Sequence, residues 1–175
     1  LPKELQLAYA ERDAESLYSV LISLEGGNFR AENVKKLTGP RATRQNIQRE
    51  LESWLPSVAR ENDRVFIYFA GHGFVHQGKG YLAPHDFHPS DIAASGYPME
   101  SLAKLVSSTL KSKYKVLLTD SCHSGFVTTE TRAANLNSIL QRLDTSLFSL
   151  TAARDDERSF ESPDFGGGHG VFTYY

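Results

Sequence analysis

Arg64–Ala70 (RVFIYFA) restricts the possible folds of this chain more than any other segment. It is a continuous apolar run of β-type residues, the pattern of a strand buried on both faces of a parallel sheet. Tyr114–Leu118 reads as a second buried strand, Leu147–Thr151 as another, and Tyr81–Ala83 and Asn33–Leu37 as short ones. Helical spacing occupies the intervals. Ala14, Leu17, Tyr18, Leu21 and Ile22 lie on one face of a helix within Glu11–Glu25, which Gly26-Gly27 stops. Thr38-Gly39-Pro40 breaks the chain before a second helix. That helix is N-capped by Thr43 and turns Ile47, Leu51, Trp54, Leu55 and Val58 inward. Met99–Leu110 and Asn135–Leu143 read as further helices, Thr128–Ala134 as an exposed loop, and Ala152–Gly170 as a polar, Gly-rich loop. Strands alternating with helices predict an α/β fold: a mostly parallel central sheet with helices on both faces.

Length and charge bound the rest. The 175 residues fit one domain, 1–175, large enough to bury roughly two-thirds of its unfolded surface. A formal charge of −2 gives no electrostatic reason to expect nucleic acid or an anionic membrane as partner. No apolar run approaches the roughly 18 residues of a membrane span. The single cysteine forbids an internal disulfide, which accords with a reducing compartment and a cytoplasmic location. Leu1 without a Met reads as a fragment or a processed chain.

In open α/β sheets, ligands bind beyond the carboxyl ends of the strands. His72 follows the strand Arg64–Ala70, in a turn Gly71-His72-Gly73 that ends it, and Cys122 follows Tyr114–Leu118 by four residues. If those strands are neighbours, His72 and Cys122 meet at one rim. A thiol is a weak nucleophile near its ordinary pKa of about 8.5, and an adjacent imidazolium lowers that value and supplies thiolate. Gly71, Gly73 and Gly125 leave backbone bare, and the amides of Gly73 and Cys122 are placed to donate to a carbonyl oxygen as it gains charge. Taken singly, Cys122 also fits a small buried hydrophobe and His72 a structural residue. The pair, each member in its own Gly-containing turn, is hard to obtain from packing alone.

YFAGHG (Tyr68–Gly73) and LLTDSCHSG (Leu117–Gly125), about 50 residues apart from His to Cys, resemble the caspase-like cysteine peptidases, in particular metacaspases and their bacterial relatives. Ala8–Ser16 is similar to that family's acidic first helix, and Tyr81–Asp86 to its strand after the histidine. Ser149–Glu161 is similar to the strand and loop after the cysteine, and His169–Tyr174 to the start of the next helix. The resemblance implies a three-layer α/β/α sandwich, a His72–Cys122 dyad and oxyanion-binding amides at Gly73 and Cys122. It also implies that the first strand lies upstream of Leu1 and that elements beyond Tyr175 are lacking. Strict caspases carry an amide side chain two positions before the nucleophile and cut after Asp; here that position is Asp120, as in metacaspases. A carboxylate in the pocket for the residue before the scissile bond pairs with Arg or Lys and repels Asp. By the family pattern Asp13 is a second wall of that pocket. The residues alone leave another reading for each: Asp120 as a cap of the turn after its strand, and Asp13 as a solvated first-turn residue favoured by the helix dipole.

The implied activity is endopeptidase cleavage after Arg or Lys through an acyl-enzyme, with peptide or protein substrates and regulatory domains or chains as partners. Arg132, in the loop where relatives are cut into two subunits, is a candidate self-cleavage site. Two alternatives stand beside it: a catalytically silent binding or scaffold domain, and a clostripain-like or legumain-like peptidase. His85, His88, His123 and His169 with Cys122 do not match a structural zinc spacing. No metal ligand and no cofactor is expected, and the acidic run Asp155-Asp156-Glu157, without EF-hand spacing, leaves calcium activation open.

Overall fold

In a computed structural model of the chain, residues 7–123, 147–151 and 161–175 are described. The expected helix Asn135–Leu143 and loop Thr128–Ala134 lie outside them.

Five strands form the central sheet: β1 (Arg64–His76), β2 (Lys79–Leu82), β3 (Tyr97–Pro98), β4 (Tyr114–His123) and β5 (Leu147–Thr151), in the order β3-β2-β1-β4-β5. β1, β4 and β5 run parallel, while β2 and β3 are antiparallel to their neighbours. The sheet is therefore mixed around a parallel core. Both central strands outrun the sequence-based expectation. β1 does not end at Gly71-His72-Gly73 but continues to His76, where Gln77 (φ 50°) and Gly78 (φ 73°) return the chain as β2. Positive φ at both residues of a two-residue loop is the hairpin geometry whose twist matches the flanking strands. With β2 on one side and β4 on the other, the Gly-His-Gly segment is held as strand.

Alternation along β1 sorts its two faces. Val65 and Ile67 are buried, and with Leu117 of β4 they join the core cluster. That core is completed by Leu102 of α5 (Met99–Lys104), which follows the single-turn α4 (Ile92–Ser95), by Leu105 and Val106 of the π-wound turn Leu105–Thr109 that continues it, and by Tyr97 and Leu110. The second helix packs on the same cluster through Ile47, Leu51 and Leu55, as its spacing predicts; Val58, expected to face inward, is instead exposed. It runs through α2 (Arg44–Arg49), a π-wound turn Glu50–Trp54, and α3 (Leu55–Val58). Pro56 accounts for the widened turn: it lacks an N–H, and its ring crowds the carbonyl four residues earlier, that of Glu52. On the other face of β1, Tyr68 Oη lies 2.8 Å from Thr173 Oγ1 of α6 (Val171–Tyr174), beside α1 (Ala10–Ile22). Helices thus flank both faces, as expected.

Lys115 of β4 is buried, and its ammonium donates to the Val106 carbonyl at 2.8 Å, in the last turn of a helix whose dipole favours a cation there. Asn33–Leu37 is not the short strand expected. Ala31–Asn33 forms a 3₁₀ turn, and Val34 is extended (φ −115°, ψ 119°) but pairs with no strand among the described residues. A cavity of about 860 Å³, lined by Val34, Leu37, Trp54, Leu17 and the Arg64–Gly71 stretch, lies beside it. An extended segment without a hydrogen-bonding neighbour is no strand.

The N-cap expected at Thr43 is present: its hydroxyl accepts from Asn46 N at 3.2 Å. Thr43→Ala is expected to cost about 1 kcal/mol of stability. Urea unfolding should show a lower midpoint with an unchanged slope, and an unmoved midpoint would contradict the cap.

Candidate active site

The parallel register places the two sequence-predicted catalytic positions directly across from one another. His72 of β1 is the register partner of Cys122 of β4, and Ala70 that of Asp120. Adjacent strands lie about 4.8 Å apart, so residues 50 positions distant in sequence become backbone neighbours at the carboxyl end of the parallel core. Because β1 runs through the GHG segment, His72 sits within the strand rather than after it.

His72 is buried, and its backbone carbonyl accepts from Ala83 N at 2.9 Å. Its ring lies 6.2 Å from that of Phe74, which stacks on Phe87 at 4.5 Å in a small apolar cluster with Ala83. That cluster walls the imidazole on one side. Gly71 has a packing explanation not visible in the motif. A Cβ there would lie 2.6 Å from the tip of the Phe69 ring, so the expected bare backbone is covered. Gly73, expected in an open turn, is flanked by Leu82 of β2 and His123 of β4.

The two carboxylates singled out in the sequence also come together. Asp13, three residues into the 13-residue α1, is buried rather than solvated. Its Oδ1 lies 2.7 Å from His169 Nδ1, and its Oδ2 accepts from Gly170 N at 3.0 Å. Asp120, buried near the end of β4, accepts from Thr173 Oγ1 through Oδ2 at 3.3 Å. Thr173 spends its proton on Asp120, so Tyr68 is the donor in the Tyr68–Thr173 bond. Burial above all, reinforced by the charges of Asp120 and Asp13, pushes the Tyr68 hydroxyl well above the ordinary tyrosine range and keeps it a donor. A side chain added at Gly170 would have its Cβ 2.6 Å from Asp120 Oδ2 and 3.0 Å from Asp13 Oδ2. The inner oxygens of both carboxylates therefore converge on one point against the Gly170 backbone, where no side chain fits.

This part of the site is held by a two-stranded ribbon, β6 (Glu161–Ser162) and β7 (His169–Gly170). The ribbon lies in the stretch expected to be loop throughout, of which residues 152–160 are outside the description. Glu161 accepts from the amides of Ala8 (2.8 Å) and Tyr9 (3.1 Å) just ahead of α1, satisfying donors a helix start leaves open. Arg12 donates to the Gly167 carbonyl. Tyr68, His169, Gly170 and Thr173 were given no site role by sequence reasoning. The spacing of HGVFTY held the signal, since a His-Gly pair followed three residues on by Thr puts a ring, a bare amide and a hydroxyl around one helix start. Tyr174 and Tyr175, by contrast, are exposed and pack on Phe165 and each other.

Among the described residues, no group of three or more His, Cys, Asp or Glu is arranged to hold a metal ion, and no helix is long and apolar enough to cross a membrane. Arg132 and the acidic run Asp155–Glu157 fall outside them.

A mixed sheet with a parallel core, helices on both faces, and a His and a Cys paired across its carboxyl end is an architecture of cysteine peptidases. The caspase domain family matches residues 3–174, nearly the whole chain, and the chain belongs to that family of cysteine-type peptidases. A search of curated proteins finds no match.

Proposed function

We propose that this domain is an endopeptidase that cuts after Arg or Lys, with Cys122 as nucleophile and His72 as its proton carrier. The observation that carries the specificity is the convergence of Asp13 and Asp120 beside Gly170, with Asp120 two residues before Cys122 on β4. Two buried carboxylates this close repel each other, and a guanidinium or ammonium brought against their inner oxygens relieves the repulsion and takes charge-assisted hydrogen bonds. An Asp side chain in the same place would add a third negative charge.

In the proposed reaction His72 takes the thiol proton, and the thiolate attacks the carbonyl after the basic residue. The oxyanion draws on the Gly73 and Cys122 amides; Gly73, flanked by strands, donates when substrate occupies that end of the ladder. Imidazolium then protonates the departing amine as the C–N bond breaks. The acyl-enzyme is hydrolysed by water that imidazole deprotonates, and the proton returns to sulfur as the acid leaves. A fluorogenic peptide ending in Arg tests this directly, beside matched peptides ending in Asp and in Asn. Turnover of the Asp or Asn peptide in preference to the Arg peptide overturns the specificity.

Gly170→Ala isolates the pocket. The backbone there (φ −67°, ψ 148°) suits alanine, so the only conflict is the methyl group between the two carboxylates. kcat/KM for the Arg peptide is expected to fall about 10–200-fold with the circular dichroism spectrum unchanged. Full activity would put the basic side chain elsewhere.

An enzyme of this specificity has a target in its own Arg132. Intact-mass analysis is expected to show a break after Arg132 in the wild type and none in Cys122→Ala. Fragments ending at Asp144 would contradict cleavage after basic residues.

A further inference from the structure

The Asp13–Asp120 gap is shaped by a residue that itself faces away from it. We propose that His169 is a positioning residue for substrate specificity: by holding the outer oxygen of Asp13, it keeps the inner oxygen turned toward the gap that receives the substrate's cation. The inference rests on the cation-pocket reading above.

A carboxylate has two equivalent oxygens and a soft terminal torsion, so its direction is set by what grips it. Asp13 is gripped at both ends. Gly170 N takes Oδ2, and His169 Nδ1, at 2.7 Å, takes Oδ1. A carboxylate only accepts, so Nδ1 carries the proton in this contact whether the ring is neutral or charged. Asp13 and His169 are both largely withdrawn from solvent, with side chains 4% and 14% exposed, so water is a poor substitute for the imidazole. The grip also decides which oxygen faces Asp120. The position 3.0 Å from Asp13 Oδ2 and 2.6 Å from Asp120 Oδ2 is one point, beside Gly170, while Oδ1 is turned to the ring. Without the imidazole, Oδ2 retains one amide and the carboxylate can rotate away from its like-charged neighbour.

His169 is also anchored independently of Asp13. It pairs with Ser162 across the ribbon, whose other strand carries Glu161 on the Ala8 and Tyr9 amides, while Arg12 of α1 reaches the Gly167 carbonyl. The ring is therefore fixed from the ribbon and Asp13 from α1, and their contact ties the two together at the pocket.

The test compares two substrates differing only in charge, peptides ending in Arg and in its uncharged isostere citrulline, across wild type, Asp13→Asn, His169→Leu and His169→Asn. Asparagine sets an amide N–H near the position of Nδ1, so it restores the donor without the ring. His169→Leu is expected to raise KM for the Arg peptide about 10–100-fold, to change kcat less than about threefold, and to leave the citrulline peptide nearly unaffected; His169→Asn is expected to recover most of the loss. A wild type that cleaves both peptides equally overturns the cation pocket itself. A wild type that discriminates, together with Asp13→Asn that does not and His169→Leu that still does, overturns the role of His169 alone. An equal fall in kcat on both peptides, or His169→Asn failing like His169→Leu, also overturns it, because the ring would then be a support of the fold.

Discussion

Cys122→Ala is expected to remove hydrolysis of an Arg-terminated peptide almost completely, by about six decades in kcat, the scale seen when a protease nucleophile is deleted. The proposed mechanism has no second group to form the acyl-enzyme, and water attack without the thiolate forgoes covalent catalysis altogether. His72→Ala should cost a comparable factor, because an unassisted thiol near neutral pH is mostly protonated and nothing would protonate the departing amine. The sharper expectation concerns the double variant. If His72 and Cys122 act as one unit, as their positions in register across β1 and β4 suit them to do, removing both costs no more than removing either. Single-turnover rates with enzyme in excess, with folding checked by circular dichroism, measure all three. Cys122→Ala as active as the wild type would sink the peptidase mechanism; losses that multiply would mean that the two residues act separately.

Residue patterns in the sequence led to the core of the fold and to the two strand ends. RVFIYFA carries its own instruction, since an apolar run of strand length has no stable place except between two layers, and YKVLL follows the same pattern but for Lys115. β1, β4 and β5 were legible from such runs, and the helices beside them from their apolar spacing. Local signals misled where hydrogen bonding across the sheet outweighed them. Gly71 and Gly73 look like strand breakers in isolation, yet β2 and β4 pair with both sides of that segment and hold it extended. Asn33–Leu37 shows the converse, for Val34 is extended but has no neighbour among the described residues to pair with. The burial of Asp13 was not legible either. A carboxylate in the first turn of a helix is commonly solvated, and what draws this one inward is a ribbon more than 150 residues later, whose His169 and Gly170 donate to it. The motif around Cys122 pointed to Asp120, but Thr173 and Tyr68 become its surroundings only through the packing of α6 on β1.

Asp120→Asn is expected to lower kcat/KM for the Arg peptide by about two to three and a half decades while sparing the citrulline peptide. The substitution keeps the shape of the side chain and an oxygen for Thr173, whose hydroxyl bonds Asp120 Oδ2 at 3.3 Å, so packing changes little and charge changes fully. Removing one partner of a desolvated ion pair costs on the order of 3–5 kcal/mol, and about 1.4 kcal/mol corresponds to one decade. Much of that penalty is the cost of burying the substrate's charge against a weaker counter-charge, so it falls on the cationic peptide alone. Asp13 remains beside the guanidinium in this variant, which places the expected loss below that of the double change with Asp13→Asn. The two single losses should not simply add, because both carboxylates face the same group across one small space. Michaelis–Menten parameters for the two peptides, taken for Asp120→Asn, Asp13→Asn and the pair, give the coupling directly. A parallel fall on both peptides would assign Asp120 to the architecture of β4, and an Arg peptide cleaved at the wild-type rate would leave the basic specificity without its counter-charge.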